Sequence, residues 1–298
     1  VNETSRLSGP PRSILLATDL SARSDRAFDR AVLLAKEWRA PLTVLHVLEN
    51  APSPLDTAEP SPSWRRPPDP LNAIRDSIAA DLGEIAETAT IVIEDGDTVD
   101  TVMRIAAASG SDLVVIGVAR NGLLGELMLG RTVDSLLRRC REPLLVVKAR
   151  PRQRYRHIVV ATDFSESSRH ALDAAVRFFP EDALTLFHAY DPLMSGLTGD
   201  AATYLRKQRE VAEQDCEDFL REAEKRYGNW RRPRVMLEYG APNHLLHDYV
   251  IDKSADLVIA GTHGRGAILD IIIGSVAKRI LEDVSCDVLL VPEPRARA

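Results

Sequence analysis

The sequence predicts an α/β fold built twice: two tandem doubly wound parallel sheets of five strands each, with helices on both faces. Three observations predict it. Short apolar runs alternate with longer amphipathic stretches, the pattern of strands joined by crossover helices. Runs such as Leu113-Val114-Val115-Ile116 and Leu257-Val258-Ile259-Ala260 are apolar at every position, as strands buried on both faces are. The order of signals also repeats. Ile14-Leu15-Leu16-Ala17-Thr18-Asp19 returns as Ile158-Val159-Val160-Ala161-Thr162-Asp163, a shift of 163 minus 19, or 144.

In the first half the strands are expected near 13–18, 42–48, 89–94, 112–117 and 143–148, and the helices near 22–39, 71–87, 98–109 and 131–141. The second half follows the same order. Asp95-Gly96 answers Tyr239-Gly240, and Asp112 to Gly117 answers Asp256 to Gly261, both at the same shift. Leu45-His46-Val47 and Phe187-His188-Ala189 match at 142, so a two-residue length difference opens near the first helix and closes later. A period this long means two domains rather than a solenoid. The short polar stretch Arg150-Pro151-Arg152-Gln153 is the expected linker, which divides the chain into 1–150 and 151–298. Asn50 to Pro70 carries seven prolines (Pro52, Pro54, Pro60, Pro62, Pro67, Pro68 and Pro70) and is expected to be a surface loop. Its counterpart instead leads into a long helix, 201–227, with Leu205, Ala212, Cys216, Phe219, Leu220, Ala223 and Tyr227 along one stripe. That stripe is expected to pack on its own sheet.

At 298 residues the chain has room for about two full cores. Its 45% hydrophobic and 28% charged residues are those of an ordinary soluble protein, and a net charge of −6 gives no basic field for nucleic acid. The opening VNETSRLSGPPR has no apolar core, and no apolar run is long enough to span a bilayer, so a cytoplasmic location is expected. Cys140, Cys216 and Cys286 are odd in number and far apart, which suits reduced thiols.

The most informative stretch runs from Leu257 to Lys278. An apolar strand closes on Gly261 and is followed by Thr262-His263-Gly264-Arg265-Gly266. At Gly274-Ser275 a hydroxyl residue opens a second amphipathic helix, as its cap or in its first turn. Glycines let several backbone amides turn toward one point, and a helix N-terminus adds about half a positive charge. Together they suit a polyphosphate, with Arg265 and Lys278 as nearby cations. The chain contains no G-x-x-x-x-G-K-[ST] loop, and no G-x-G-x-x-G follows the first strand of either half. The plain alternative is a turn followed by an ordinary capped helix.

Gly261-x2-Gly264-x9-Gly274-Ser275 resembles the G-x2-G-x9-G-[ST] signature of the ATP-binding branch of the universal stress protein family. The resemblance implies a Rossmann-like, adenine nucleotide alpha hydrolase-like fold in tandem form, with ATP in the second half. It implies a nucleotide-contacting set of Ala161, Thr162 and Asp163, then Ala189, whose backbone would meet adenine. Around the loop it adds Gly261, Thr262, His263, Gly264, Arg265, Gly266, Gly274, Ser275 and Val276. Asp163 has two readings. It could cap the next helix, or it could lie in the pocket, where a magnesium ion or a ribose hydroxyl would offset its repulsion from phosphate.

The first half offers a second set: Thr18, Asp19, Val47, Gly117, Arg120, Gly122, Gly130, Arg131 and Thr132. Here the middle glycine is Arg120 and the hydroxyl position is Arg131. If the loop needs positive φ at position 120, arginine costs about 1 to 2 kcal/mol there. A blocked pocket, an altered nucleotide site and a different anion site all remain open.

His244 and His247 share a helix face but have no further ligands, so packing or solvent exposure is expected of them. His46 and His188 read as structural, His263 has no evident nucleophile to serve, and Cys286 reads as packing.

The expected function is an ATP-binding stress-response regulator or adaptor, with at most slow ATP hydrolysis or autophosphorylation by resemblance. One alternative is a module for another small molecule or a protein partner, with ATP merely structural. The other is an enzyme of a related nucleotide-binding family, against which stands the lack of S-G-G-x-D-S and H-x-G-H motifs. The two halves are expected to associate face to face as an intrachain pseudo-dimer, since their apolar edge strands, 143–148 and 286–291, would otherwise invite other chains. A homodimer of the whole chain stays open.

Overall fold

The computed structural model describes residues 9–22, 24–48, 69–118, 130–180, 182–190, 201–228, 230–263 and 274–293. The first half runs β1 (Ile14–Thr18), α1 (Asp25–Trp38), β2 (Leu42–Leu48), α2 (Pro70–Leu82), β3 (Thr90–Asp95), α3 (Thr98–Ser109), β4 (Leu113–Gly117), α4 (Arg131–Arg139) and β5 (Leu144–Val147). The second runs β6 (Ile158–Ala161), α5 (Glu166–Phe178), β7 (Leu184–Tyr190), α6 (Ala201–Tyr227), β8 (Arg234–Tyr239), α7 (Pro242–Lys253), β9 (Leu257–Gly261), α8 (Ser275–Asp283) and β10 (Asp287–Val291).

Two boundaries differ from the sequence expectation for local reasons. Pro70 is not loop but the first residue of α2. Its fixed φ and missing N–H are tolerated there, and Asp69 caps the turn by accepting from the Leu71 amide at 3.0 Å. The same helix stops at Leu82 because Gly83 takes φ +55°, and a single 3-10 turn, Gly83–Ile85, follows. The rest of the proline-rich segment, 49–68, and the segment 191–200 lie outside the described residues.

Within each half the strands are parallel, in the orders β3-β2-β1-β4-β5 and β8-β7-β6-β9-β10. Chain order therefore reverses between β1 and β4, and between β6 and β9, which opens a crevice beyond the C-terminal end of each pair. Helices α1, α2, α5 and α6 cover one face and α3, α4, α7 and α8 the other, each over its own continuous apolar layer. As its stripe predicted, α6 buries Ala212, Cys216, Phe219, Leu220 and Ala223 against the sheet.

The two sheets do not meet face to face. Strand β5 pairs antiparallel with β10, so the halves join edge to edge in one ten-stranded sheet, and both apolar edges are used up inside the chain. Leu145 lies opposite Leu289, its own counterpart at the 144-residue shift, so a local pseudo-twofold axis passes through this pair. Behind the seam Asp287 is fully buried. It accepts from the amides of Lys148 (2.8 Å) and Ala149 (2.9 Å) and from the Tyr155 hydroxyl (2.7 Å), and Arg30 Nε lies 3.3 Å away. The linker is thus more than a polar spacer, because the Gln153 carbonyl accepts from Arg30 at 2.9 Å, and just beyond it Tyr155 packs edge-on against Phe179 with the Arg30 guanidinium over its ring.

Candidate functional site

The crevice of the second half is built by the ends of β6 and β9 and the starts of α5 and α8. After β6 the chain turns sharply. Thr162 Oγ1 accepts from the Phe164 amide at 2.9 Å, and Phe164 sits at φ +60°. Asp163 Oδ1 accepts from the Ser165 amide (3.0 Å) and the Ser168 hydroxyl (2.7 Å). The helix cap itself is Ser165, whose hydroxyl accepts from the Ser168 amide, so Asp163 braces the turn rather than capping α5. The same turn recurs in the first half. Leu20 takes φ +57°, its amide donates to Thr18 Oγ1 at 3.0 Å, and Asp19 Oδ1 accepts from Ser21 and Ser24.

The histidine within each second strand, β2 and β7, serves this turn. His188 Nδ1 lies 2.8 Å from the Thr162 carbonyl, and His46 Nδ1 lies 2.9 Å from that of Thr18, a structural role for both. Ala161 and Ala189 are half-buried on the sheet face that carries α7 and α8, and Val47 occupies the matching place in the first half.

Past β9 the structure describes both feet of the glycine loop. Gly274 N donates to the Thr262 carbonyl at 2.8 Å, so the end of β9 and the start of α8 are tied together, and Thr262 N donates to Val291 at 3.2 Å. Gly264, Arg265 and Gly266 lie outside the described residues, as do Arg120 and Gly122. Gly261 needs to be glycine for closeness, since a Cβ there would come within 2.3 Å of Ser167 Oγ and 2.7 Å of the Ser167 carbonyl oxygen. His263 N donates to Ser167 Oγ at 3.2 Å, and its Nδ1 lies 2.9 Å from Thr262 Oγ1. Its Nε2 is buried without a hydrogen-bond partner among the described residues.

Gly274 is the N-cap of α8, so Ser275 is its first residue and Val276, 46% exposed, its second. The first bond inside this helix runs from Lys278 N to the Gly274 carbonyl, which leaves the amides of Ser275, Val276 and Ala277 without partners inside the helix. No acidic residue stands in that first turn.

The first half builds a similar frame with different charge. Gly130 caps α4, Arg131 takes the place of Ser275 and is exposed, and Thr132 follows. Where α8 carries Lys278, α4 carries Asp134, which pairs with Arg138. A carboxylate in the first turn suits the helix dipole but opposes a phosphate placed there. The structure therefore brings together Ala161, Thr162, Asp163, Gly261, Thr262, His263, Gly274, Ser275 and Val276 around one crevice; in the first half the pairing of β1 with β4 sets Thr18 and Asp19 beside Gly117, and Gly130, Arg131 and Thr132 open α4.

Sequence reasoning missed Ser167 and Ser168, which join the two sides of the second crevice; the signal was three serines within one helix turn, Ser165-Glu166-Ser167-Ser168. His247 lies at the end of α8 away from the crevice. His247 Nδ1 lies 2.8 Å from the Asp283 carbonyl, and no group of three His, Cys, Asp or Glu residues comes together as a metal site among the described residues. Also among them, no helix is long and apolar enough to cross a membrane.

Comparison with known proteins agrees with this architecture. A universal stress protein from Mycolicibacterium smegmatis is 26% identical over 293 residues, 93% of this chain and 96% of that protein. Another, from Methanocaldococcus jannaschii, is 29% identical over 147 residues, 47% of this chain and 84% of its own length. Among solved structures, a protein of unknown function from Pseudomonas aeruginosa superimposes with a TM-score of 0.68 at 19% identity, covering 95% of this chain and 93% of that one. A universal stress protein from Archaeoglobus fulgidus gives 0.60 at 18% identity, covering 94% and 98%. Residues 11–148 and again residues 154–292 match the universal stress protein family, so the chain belongs to that family, in tandem form.

Proposed function

We propose that this chain is a nucleotide-binding stress-response regulator or adaptor that holds ATP in the crevice of its second half. The observation that carries the reading is the tie between Thr262 and Gly274. It sets the amides of the α8 first turn beside the end of β9, with Lys278 and no carboxylate in that turn. Asp163 borders the crevice from β6, and the small residues Ala161 and Ala189 leave room for a base on the same sheet face. Magnesium enters only as the ion that the phosphates carry, with Asp163 as the carboxylate at the crevice. The first half is the lesser site, because Asp134 replaces Lys278 and Arg131 replaces Ser275.

Ser275→Asp tests the reading, because affinity and stability should move in opposite directions. A carboxylate in the first turn favours the helix dipole by about 0.3 to 1 kcal/mol, yet it repels a phosphate tail. Calorimetric titration should show ATP bound at about one per wild-type chain and at least about tenfold more weakly by the variant, the equivalent of about 1.4 kcal/mol. The melting temperature should stay level or rise. Unchanged affinity would remove the start of α8 from the site. A binding role also predicts phosphate release below about 1 per second, the low end for ordinary enzymes.

A further inference from the structure

We propose that β8, the outer edge of the second half, pairs antiparallel with β8 of a second copy of this chain, in a register centred on Met236. The proposal is independent of the nucleotide reading. With β5 and β10 joined at the seam, the sheet ends in β3 on one side and β8 on the other. An edge strand offers amides and carbonyls to any other strand unless something guards them. The two edges differ in that guard. Gly96 N donates to the Leu48 carbonyl, so in β3 the residues that turn their main-chain groups outward are Ile91, Ile93 and Asp95. Arg75 of α2 covers this edge, its Nη1 donating to the Ile91 carbonyl at 3.2 Å, and Arg104 engages Glu94. In β8, Gly240 N donates to the Tyr190 carbonyl at 3.0 Å, so Val235 and Leu237 turn outward. No side chain among the described residues covers their amides or carbonyls.

The strand is also complementary to itself. Val235, Met236 and Leu237 are half-buried and stand between the exposed Arg234 and Glu238. Two edges form a ladder only if outward residues stand opposite one another, so the twofold axis must pass through a residue and not between two. Centred on Met236, Val235 of each copy faces Leu237 of the other, and each such pair exchanges both main-chain bonds. The same register sets Arg234 opposite Glu238 on either side of the axis, with Met236 against Met236. Centred on Leu237, Arg234 would face Gly240; centred on Val235, Leu237 would face Pro233, which has no N–H to give. Only the Met236 register satisfies hydrogen bonds and charges together. The matching register of β3 sets Glu94 opposite Thr90 and needs the Ile91 carbonyl that Arg75 already holds. A β8 pair uses up the same patch on both copies, so assembly closes at two chains, whereas β8 on β3 would run on as an open chain.

Sedimentation of the full chain should show a monomer of 32.9 kDa in equilibrium with a dimer. Arg234→Glu and Glu238→Arg, each alone, set like charges opposite one another and should weaken the dimer at least about fivefold. The double variant restores opposite charges and should bring the dissociation constant back to within about threefold of wild type. Val235→Pro removes an amide that β7 does not use, so the chain should keep its circular dichroism spectrum and become monomeric. If that variant does not fold, the charge exchange alone decides. A wild-type chain that stays monomeric up to about 0.1 mM overturns the proposal. So does assembly beyond two chains, a dimer that ignores the single variants, or a double variant no tighter than they are.

Discussion

Asp19 sits at a turn where burial and hydrogen bonding act against each other. Burial pushes its carboxyl up, but the hydroxyls of Ser24 and Ser21 and the Ser21 amide outweigh it, so the group lies below its ordinary value. A folded-state pKa below the unfolded one means that the unfolded chain binds the extra proton. The stabilisation is therefore complete above the unfolded value of about 3.9 and is lost as pH falls through the lower folded value. Asp19→Asn should be less stable than wild type at pH 7 and should lose less on acidification below about pH 4, as urea midpoints measured across that range would show. Parallel acid limbs for the two proteins would refute the account. The cysteines carry the opposite sign. Burial pushes the thiols of Cys140 and Cys286 up to about 12 and that of Cys216 to about 11, so all three stay protonated in the fold at neutral pH, and their contribution is complete below the unfolded value of about 8.5 and is lost as pH rises from there through the folded values. Iodoacetamide at pH 8 should label them only after denaturant is added.

At the level of elements, α6 shows which features the sequence makes legible. Its stripe runs from Leu205 to Tyr227, and five of the seven residues that the period selects are buried, Ala212, Cys216, Phe219, Leu220 and Ala223, while Leu205 and Tyr227 are half-buried. Leu220→Ala should cost about 2 to 5 kcal/mol in urea unfolding, whereas Val211→Ala on the exposed side should stay within about 0.5 kcal/mol. The inner strands were equally legible, because a strand buried on both faces leaves an unbroken apolar run, whereas the outer strands β3 and β8 are half-buried and carry charges. So were Asp163, Gly261 and Ser275, which occupy places where a strand must stop and a helix must start. Ser167 was not, because its role depends on two elements about a hundred residues apart meeting within hydrogen-bond distance, and no local pattern encodes that. The α2 start was misjudged for a different reason: proline excludes a helix interior but suits its first residue.

For the whole molecule, the apolar edges announced that something must cover them, but not what or how. Strands β5 and β10 are both all-apolar at their pairing positions, and nothing in the pattern LLVV separates edge pairing from face packing. The deciding residues lie just outside the pattern. Asp287 accepts the amides of Lys148 and Ala149, while Lys148 Nζ reaches the carbonyls of Leu281 and Val284 at the end of α8. Under the pseudo-twofold axis, the counterpart of Asp287 is Pro143 and that of Lys148 is Pro292, so the seam is symmetric in its apolar centre and asymmetric at its ends. A second half paired with itself in this register would set Asp287 against Val291 and Pro292. Proline has no N–H to donate, and Arg30 would not be present to offset a fully buried carboxylate. A first half paired with itself would leave Lys148 buried without the Leu281 and Val284 carbonyls that its Nζ meets. Fragments 1–152 and 153–298, refolded together, should therefore assemble one to one rather than as two homodimers, and native mass spectrometry would count the species. Asp287→Asn in the second fragment should weaken that assembly and destabilise the intact chain by about 3 to 5 kcal/mol, the cost of breaking a buried pair. Because the pair is buried, 0.5 M salt should hardly change the loss. By contrast, the exposed Lys36–Glu84 pair should contribute about 1 kcal/mol or less and lose even that to screening.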